Sequence, residues 1–265
     1  MTAEVPILMY HALTVARTPG FHRWTLSGDR LRAHLEFLSQ EGYRTVTVAG
    51  LRDALADGDP GDRLIALTFD DAYADFHEVA LPLLTGFGMT ATLFVPSGHI
   101  GGRSCWMDGE GEGGRPIASW TALAEIAASG IEIGAHSHTH PALDTVSATE
   151  LARQTYRPKA DLEYGLGRAV HSFAYPYGRY DRRVRDAVAA SGYRAACTMN
   201  SWAATAADHA LELPRTPVFH HVDVPELAQC LAASRNPVRR RVLRAKRAAE
   251  APARLLHARR RTEAA

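Results

Sequence analysis

The amino-acid sequence predicts an α/β fold built around a parallel sheet. Short apolar runs, rich in β-branched and aromatic residues, alternate with segments of helical periodicity along most of the chain. This alternation is typical of strands joined by right-handed helical crossovers, which either close into a barrel or spread into an open doubly wound sheet. Periodicity alone leaves that choice open. The chain has 265 residues, of which 46% are hydrophobic, so it is long enough to bury a large core.

Eight apolar runs predict buried strands. In chain order they are Pro6–Tyr10, Thr45–Val48, Leu64–Phe69, Thr90–Val95, Ile131–Ala135, Ser172–Tyr175, Tyr193–Cys197 and Pro217–Phe219. Between them, apolar spacing and capping residues predict helices. These are Leu31–Leu38, a helix between an N-cap at Ser119 and a stop at Gly130, a helix opened by the capping-box pattern Ser147-x-x-Glu150 and running to about Gly165, Asp181–Ala190 and Pro225–Ala233.

One long connection interrupts this alternation. Gly101–Ser119 holds six glycines without any period, which predicts a surface loop. After a barrel strand such a loop would overhang the face where functional loops gather. It is either a tolerated insertion or a cover for substrate, and its Trp106 is a candidate substrate contact.

Charge divides the chain into an acidic body and a basic tail. Residues 235–265 contain eleven basic and two acidic residues, a formal charge of +9, which leaves −8 for residues 1–234 out of the total of +1. We therefore expect a catalytic domain over residues 1–234 and a helical or disordered appendage over residues 235–265. The tail is either simply solvated or in peripheral contact with an anionic membrane surface. Nucleic-acid binding is disfavoured, because the body is acidic and has no recognition motif.

The cysteines and the N-terminus bear on the compartment. Cys105, Cys197 and Cys230 are odd in number and lack C-x-x-C spacing, which argues against a disulfide framework and a thiolate zinc site. The N-terminus has no basic region, and its apolar run is too short for a signal peptide. No stretch approaches the ~20 apolar residues of a membrane span. With Met1 as the start, we expect a cytoplasmic protein, with peripheral membrane contact as the alternative noted for the tail.

Two polar clusters close predicted strands. Asp70 and Asp71 follow the apolar run Leu64–Phe69, where carboxylates must be paired, metal-bound or open to water. The alternative is a solvated turn in which Asp71 caps the next helix. His136 and His140 follow another strand at i, i+4 spacing, which lets two imidazoles reach one ion. With a carboxylate they form a donor set typical of catalytic zinc, whereas His138 is expected to point elsewhere.

A third cluster, Phe173–Gly178, also closes a strand. Pro176 fixes its own φ and Gly178 frees the following turn, so the backbone there is shaped and rigid. Such a turn can direct a backbone N–H at a developing oxyanion, although Tyr-Pro-Tyr-Gly is also simply a good turn sequence.

Taken in order, the motifs TFDD, HSHTH and FAYPYG resemble those of the polysaccharide deacetylases, the NodB-homology group of carbohydrate esterase family 4. The resemblance extends from VPILMYH at residues 5–11, through LEFLSQEGYRTVTVAGL and TATLFVPSGHIGG, to LPRTPV at residues 213–218. It implies an irregular (β/α) barrel and metal-dependent removal of an acetyl group from a sugar. The opening MYH is similar to the subgroup that acts on β-1,6-linked poly-N-acetylglucosamine.

The resemblance also implies roles for individual residues. Asp70 corresponds to the general base, and the metal ligands correspond to Asp71, His136 and His140. The Tyr177 N–H corresponds to an oxyanion donor, and His11 is the candidate general acid. Zinc is the expected ion, with cobalt, nickel or iron as alternatives for this donor set.

Three departures from the family pattern stand out. The third motif often begins with an arginine that tethers the base, but Ala174 occupies that position, and Arg215 is a candidate replacement. The usual glycine after the paired aspartates is Ala72. The late Leu-x-His motif has no clean match, although His220 and His221 lie nearby.

The leading hypothesis is a hydrolase that removes an N-acetyl group from an amino sugar or glycan intermediate. A second hypothesis keeps the site but changes the substrate to a formamide, a cyclic imide or an acetylated small molecule. A third is an inactive carbohydrate-binding module.

Overall fold

A curved sheet of parallel strands forms the centre of the protein. The computed structural model describes residues 4–14, 18–58, 61, 63–243 and 245. Its strands are β1 Ile7–Tyr10, β2 Arg44–Val46, β3 Leu64–Phe69, β4 Thr92–Val95, β5 Glu132–Ala135, β6 Ser172–Ala174, β7 Ala195–Cys197 and β8 Thr216–Pro217. They lie in the order β7-β6-β5-β4-β3-β1-β8, and β2 pairs with the first half of β3. All the pairings between these strands are parallel, as predicted.

The two ends of the sheet approach each other, so the sheet curls into an irregular barrel. Leu213 forms a parallel bridge with Cys197 at the end of β7, and β8 begins three residues later and pairs with β1. The Leu213 N–H donates to the Ala196 carbonyl at 2.8 Å, and the Thr198 N–H donates to the Leu213 carbonyl at 2.8 Å. The chain between Leu213 and β8 therefore crosses the gap between the edges. Of the two architectures that periodicity left open, the barrel is confirmed.

Helices cover the outside of the sheet. They are α1 Pro19–His22, α2 Gly28–Gln40, α3 Val48–Ala56, α4 Leu81–Gly86, α5 Trp120–Ala128, α6 Ala148–Leu166, α7 Arg182–Ala190 and α8 Val224–Ser234, and a π-helical turn, Phe76–Ala80, precedes α4. The predicted N-caps are confirmed at Ser119 and Ser147, whose hydroxyl groups accept N–H bonds from the first turn of each helix. Side chains such as Leu31, Leu35 and Leu38 of α2 are fully buried against the sheet.

Several local predictions were wrong. The run Thr45–Val48 is not all strand, because the Thr47 hydroxyl accepts from the Gly50 N–H and caps α3, a helix that the periodicity did not predict. Of the two bonds expected for a capping box at α6, the one from the Glu150 N–H to Ser147 is present. The Glu150 carboxylate instead binds Arg153 and Gln154. A complete capping box opens α8, between Asp223 and Glu226.

Other strands are shorter than their apolar runs. β4 begins at Thr92, β6 ends at Ala174, β7 begins at Ala195, and β8 is Thr216–Pro217 instead of Pro217–Phe219. The apolar side chains beyond these ends are often buried as well, for example Tyr175 and Tyr193. Apolar composition therefore predicted correctly which residues are buried, but it predicted the length of the hydrogen-bonded strands less well.

The long connection Gly101–Ser119 is more ordered than a surface loop. It contains a 3-10 helical segment, Cys105–Glu110, and a buried ion pair in which the Arg115 Nε lies 2.8 Å from a Glu112 carboxylate oxygen. Its order comes from polar contacts to distant segments, which a sequence period cannot reveal.

Only the start of the predicted tail falls within the described residues. The Asn236 side chain accepts from the N–H groups of Val238 and Arg239 and opens helical turns over residues 237–243. Arg240 pairs with Glu4, which connects the beginning of the tail to the N-terminal segment. Among the described residues, no helix has an apolar stretch long enough to cross a bilayer.

Candidate active site

Turns at the carboxyl ends of four strands form the candidate active site. His11 follows β1, Asp70 and Asp71 follow β3, His136 and His140 follow β5, and Tyr177 follows β6. Parallel strands of a curled sheet all end at the same rim, so these separate segments meet above the barrel. They line a cavity of about 240 Å³, together with Arg215.

The first turn directs two adjacent carboxylates into one site. β3 ends at Phe69, and Asp71 then adopts a left-handed backbone with φ of 73°. This break in the strand removes the alternation that would send neighbouring side chains to opposite faces. Ala72 also has a positive φ, 52°, so an alanine occupies a conformation that favours glycine. Ser137, His140 and Tyr177 share this feature, with φ values of 62°, 61° and 58°. The rim is therefore a strained part of the backbone.

Asp71, His136 and His140 form a compact group of potential metal ligands. One ligand atom from each lies within 4.8 Å of the others. Asp71 Oδ1 is 3.1 Å from His140 Nε2 and 3.6 Å from His136 Nε2. Within the described part of the chain, that carboxylate oxygen is buried without a hydrogen-bond donor directed at it. A buried oxygen facing two imidazole nitrogens fits a bound cation, and the donor set suits zinc and similar divalent ions.

The surroundings of His136 fix its tautomer. Its Nδ1 lies 2.8 Å from the Ala174 carbonyl oxygen, which can only accept, so Nδ1 carries the proton and Nε2 presents a lone pair to the site. Burial lowers the pKa of His136 to about 4, which keeps the imidazole neutral near pH 7. Burial would raise the pKa of Asp71, but His140 and His136 outweigh it and hold that pKa below its usual value.

Arg215 holds Asp70 by two hydrogen bonds. Its terminal nitrogens lie 2.6 Å and 2.8 Å from the two carboxylate oxygens, and its side chain is 1% exposed. The same guanidinium donates to the Thr68 hydroxyl at 3.1 Å and to the Thr198 carbonyl at 3.2 Å. Burial alone would raise the pKa of Asp70, but Arg215, followed by His136 and His11, lowers it below its usual value. Arg215 thus makes the contact with Asp70 that the family's motif arginine, replaced here by Ala174, would otherwise make.

His11 stands on the other side of Asp70. Its Nε2 is 4.0 Å from Asp70 Oδ2, and its ring packs against Trp24 with 4.6 Å between centroids. The side chain is 14% exposed, so one edge opens to the cavity. Burial lowers the pKa of His11 although Asp70 and Asp71 oppose that shift.

Two aromatic rings pack on His140. The Trp106 ring stacks on His140 at 4.8 Å between centroids, and the half-exposed Tyr177 ring meets His140 edge-on at 4.7 Å. Pro176 is buried at the start of the Tyr177 turn. Gly178 has φ of 64°, and a Cβ there would meet the Met199 Cβ at 2.8 Å. Trp106 does not line the cavity, so its role as a substrate contact stays a prediction. Met107 and Glu110 of the same connection do line the cavity, which favours a cover for substrate.

A buried polar network lies behind the site. One oxygen of Asp75 accepts from the N–H groups of Leu13 and Thr14 at 2.9 Å and 3.0 Å, and from the Thr14 hydroxyl at 2.8 Å. Arg115 donates to the same hydroxyl at 2.9 Å and pairs with Glu112. We call these four residues the polar clamp: Asp75, Thr14, Arg115 and Glu112. The clamp connects the segment after His11 with the segment after Asp70 and Asp71, and with the loop that carries Trp106.

Three of the histidines that the sequence singled out lie elsewhere. His138 Nδ1 lies 2.9 Å from the Ser97 hydroxyl and 3.5 Å from Asp161, so it points away from the ligand group, as expected. The ring of His220 packs on His22 at 4.2 Å and on His221 at 5.3 Å, and neither His220 nor His221 lines the cavity. These two residues therefore do not replace the late motif histidine.

Sequence reasoning missed other residues that line the cavity. These are Met9, Gly20, Phe21, Arg23, Trp24, Met107, Glu110 and Met199. Met9 belongs to the MYH motif in β1, whereas the others come from segments without a motif and reach the cavity through turns and loops whose course depends on tertiary contacts. Only a cluster of aromatic residues around residues 21–24 could have served as a signal.

Comparison with known proteins decides the family. The family model described as polysaccharide deacetylase matches residues 57–196, just over half of the chain. The protein belongs to the polysaccharide deacetylase family. This confirms the resemblance of the motifs to the polysaccharide deacetylases and makes the protein an enzyme of the carbohydrate deacetylase class. The similarity of the opening MYH to the poly-N-acetylglucosamine subgroup stays a prediction.

Two curated relatives illustrate the family match. YxkH of Bacillus subtilis (strain 168), named as a polysaccharide deacetylase, is 27% identical over 211 residues, which cover 77% of this chain and 67% of YxkH. Poly-β-1,6-N-acetyl-D-glucosamine N-deacetylase of Escherichia coli (strain K12) is 24% identical over 75% of this chain and 34% of its own length. The present chain thus spans about a third of the Escherichia coli enzyme.

Solved structures share the fold of this polysaccharide deacetylase. The deacetylase PplD of Streptococcus pyogenes, determined in complex with acetate, superposes with a TM-score of 0.76 and 26% identity over 87% of this chain and 99% of that one. IcaB of Ammonifex degensii superposes with a TM-score of 0.70 and 24% identity over 86% of this chain and 97% of its own, a likeness of fold alone.

Proposed function

We propose that this protein hydrolyses the N-acetyl group of an amino sugar within a glycan, with a divalent metal, zinc first, as cofactor. The observation that carries the proposal is the group Asp71, His136 and His140 beside Asp70, which Arg215 holds by two bonds. Two similar proteins support it: one is a poly-β-1,6-N-acetyl-D-glucosamine N-deacetylase, and the other is a deacetylase determined in complex with acetate.

Asp71, His136 and His140 would hold the metal. Two neutral imidazoles and one carboxylate leave positions open for water and substrate, a pattern typical of catalytic zinc sites. When bound, a divalent ion supplies Lewis-acid polarisation of the acetyl carbonyl and lowers the pKa of a coordinated water.

Asp70 is the base in this proposal. It accepts a proton from the attacking water as the bond between the water oxygen and the acetyl carbon forms. Two bonds from Arg215 keep the carboxylate ionised and fix its orientation, both of which general base catalysis requires. Arg215 does not reach the substrate in this scheme and acts as a positioning residue.

Two further roles are needed: a donor that stabilises the negative charge on the acetyl oxygen, and an acid that protonates the leaving nitrogen. The Tyr177 N–H, on the rigid turn after β6, donates to the developing oxyanion, an interaction worth about 3–4 kcal/mol where it has been measured for a single donor. Protonated His11 gives its proton to the amide nitrogen as the C–N bond breaks, which contributes about 10²–10⁴ in rate. Acetate and a free amine leave the site.

The test is a turnover screen with zinc-loaded protein, in which acetate is measured for acetylated substrates, formate for the formamide and the ring-opened product for the cyclic imide. The substrates are N-acetylated monosaccharides, β-1,4- and β-1,6-linked oligosaccharides, sugar nucleotides, a formamide and a cyclic imide. Release from the acetylated sugars alone is the expected result. Turnover of the formamide or imide alone would support the second hypothesis, and zinc binding without any turnover would support the inactive module.

Asp70→Asn is the matching variant. The isosteric amide keeps the size of the carboxylate, but it cannot take a proton and its NH2 group can no longer accept from Arg215. We therefore expect zinc binding to persist while acetate release falls by about 10²-fold or more. Full activity in that variant would refute the assignment of Asp70 as the base.

The place of action and the role of the tail are further proposals. We propose a cytoplasmic location for the protein. We also propose peripheral contact between residues 235–265 and anionic lipid. Exposed Val238 and Val242 with the neighbouring arginines support such a contact in the described part of the tail. Binding to anionic vesicles that survives deletion of residues 235–265 would exclude it.

A further inference from the structure

The turn that carries the two histidines of the ligand group has an unusual backbone, which other residues must hold in place. After the end of β5, Ser137 and His140 both adopt left-handed conformations, with φ of 62° and 61°. Such conformations persist only where surrounding contacts offset their cost. The Ser137 hydroxyl accepts from the His140 N–H at 3.0 Å, which is one such contact. The N–H groups of His138 and Thr139 lie between these two positions and need acceptors from another segment.

Gln154 of α6 supplies the acceptor. Its Oε1 accepts from the His138 N–H and the Thr139 N–H, both at 2.9 Å, and the side chain is fully buried. Its Nε2 donates to the Thr139 hydroxyl and to a Glu150 carboxylate oxygen, both at 2.7 Å. Main-chain N–H groups can only donate and an ionised carboxylate can only accept, so these partners fix the orientation of the amide. The glutamine thus uses its whole hydrogen-bonding capacity, and most of it goes to the turn.

The two histidines of the ligand group are held in different ways. His136 donates from Nδ1 to the Ala174 carbonyl, as metal-binding imidazoles usually do with the nitrogen that faces away from the ion. Within the described part of the chain, no hydrogen-bond partner faces the buried Nδ1 of His140. The position of His140 Nε2, 3.1 Å from Asp71 Oδ1, therefore depends on the packing of its ring and on the backbone of its own turn.

We propose that Gln154 is a positioning residue for the metal site, because its amide holds the turn Ser137–His140 in the shape that directs His140 toward Asp71. The inference rests on the proposed function, since it takes Asp71, His136 and His140 as zinc ligands. Gln154 does not line the cavity. It acts through the main chain of the residues between the two histidines.

The first experiment measures the zinc affinity of metal-free protein by competition with a chromophoric chelator. Gln154→Met keeps a side chain of similar length but deletes all the bonds of the amide. We expect it to bind zinc about 10–100-fold more weakly than the wild type, the loss typical of residues that orient metal ligands. The visible spectrum at saturating cobalt reports ligand geometry, so we also expect that spectrum to change.

Thr155→Val is the matched control. Thr155 is the next residue of α6 and is also fully buried, but its hydroxyl donates to the Leu151 carbonyl and accepts from the Ser191 hydroxyl, both at 3.0 Å and both outside the turn. This variant should lose stability while its zinc affinity and cobalt spectrum match the wild type. A loss of zinc affinity in Gln154→Met no larger than in Thr155→Val, or an unchanged cobalt spectrum, would overturn the proposal.

An exchange of two side chains tests rescue. In Gln154→Glu combined with Glu150→Gln, a carboxylate oxygen at position 154 can accept from both N–H groups, and an amide at position 150 can donate to the other carboxylate oxygen. The exchange leaves the net charge of α6 unchanged, so a difference in net charge does not account for the result. We expect zinc affinity close to that of the wild type, and an affinity as weak as in Gln154→Met would contradict the role of the two N–H bonds.

Hydrogen exchange separates this proposal from the proposed function. In metal-free protein, the N–H groups of His138 and Thr139 should exchange faster in Gln154→Met than in the wild type or Thr155→Val, because their acceptor is gone. Unchanged exchange would overturn the role of Gln154 whether or not zinc binds. If the wild-type protein binds no zinc, the cofactor assignment in the proposed function fails, whereas exchange still decides whether Gln154 holds the turn.

A second variant applies if Gln154→Met does not fold. Thr139→Val deletes one bond of Gln154 and leaves its two bonds to the main chain, and Thr139 is only partly buried. We expect a smaller loss of zinc affinity than the range given for Gln154→Met. Zinc affinity equal to that of the wild type would count against the role of Gln154.

Discussion

Replacing Arg215 with methionine should disable Asp70, the proposed base, without removing it. Arg215→Met deletes both bonds to Asp70 but keeps an apolar side chain beside Phe94, whose ring lies 5.4 Å from the guanidinium carbon. The Asp70 carboxylate is 4% exposed and would lose its main counter-charge. Removing one partner of a buried ion pair costs about 3–5 kcal/mol. At this chain length that corresponds to a fall in Tm of about 10 °C.

The same substitution should move the pH dependence of catalysis. Arginine beside an aspartate lowers its pKa by about 1–3 units, so without Arg215 burial dominates and the pKa of Asp70 rises. The base then becomes protonated at a higher pH, and activity in the acidic range is lost first. The acidic limb of the kcat/KM profile for acetate release should therefore shift to higher pH.

Two further variants isolate the cause. Arg215→Lys keeps the charge but offers a single donor group, so we expect an intermediate shift and an intermediate rate. Arg194→Met removes another Arg–Asp pair, with Asp53 at 3.0 Å, but one that is exposed, and should cost about 1 kcal/mol or less. An acidic limb in Arg215→Met that coincides with the wild-type limb would refute the positioning role of Arg215.

Three other predictions concern stability. His34 is fully buried, and its Nε2 lies 3.0 Å from the Val222 carbonyl oxygen; burial lowers the pKa of His34 to about 4. The unfolded chain protonates this histidine near pH 6.5, so the free energy of unfolding should fall by about 3 kcal/mol between pH 6.5 and pH 4, and His34→Gln should flatten that slope in urea titrations. An equal slope in both proteins would contradict the assignment. Ala72→Gly relieves a backbone with φ of 52° and should raise the free energy of unfolding by about 0.5–1 kcal/mol; a lower urea midpoint would show that the turn is not strained. Thr14→Val leaves Asp75 with one donor fewer and should cost about 1–3 kcal/mol and slow acetate release, whereas Thr14→Ser should restore both; failure of serine to do so would exclude the hydroxyl as the cause.

Much of the site could be predicted from the sequence, because its chemistry is concentrated in short segments at strand ends. Asp70 and Asp71 are adjacent, and His136 and His140 are four residues apart, so each pair stays together under any plausible fold of its segment. Parallel strands that end at one rim then bring the pairs together. The same local logic predicted the N-caps at Ser119 and Ser147.

Helices and loops with weak local signals were harder to predict. α3 begins within an apolar run that also predicts a strand, and Thr47 decides its start through one side-chain hydrogen bond. Two buried charges, Glu112 and Arg115, order the glycine-rich connection, and no composition rule predicts such an ion pair. Local propensity fails where a tertiary contact supplies the larger share of the free energy.

The sequence by itself was enough to recognise the family and, through the family, the barrel. It also identified the candidates for the base and the metal ligands in the turns at the strand ends. Only the tertiary structure decided which arginine serves Asp70, since Arg215 lies 145 residues further along the chain and enters through the segment that closes the barrel. It also decided the polar clamp, which joins segments that are far apart in sequence. Short-range geometry can be read from residue order, whereas a contact across the barrel depends on how every intervening element packs.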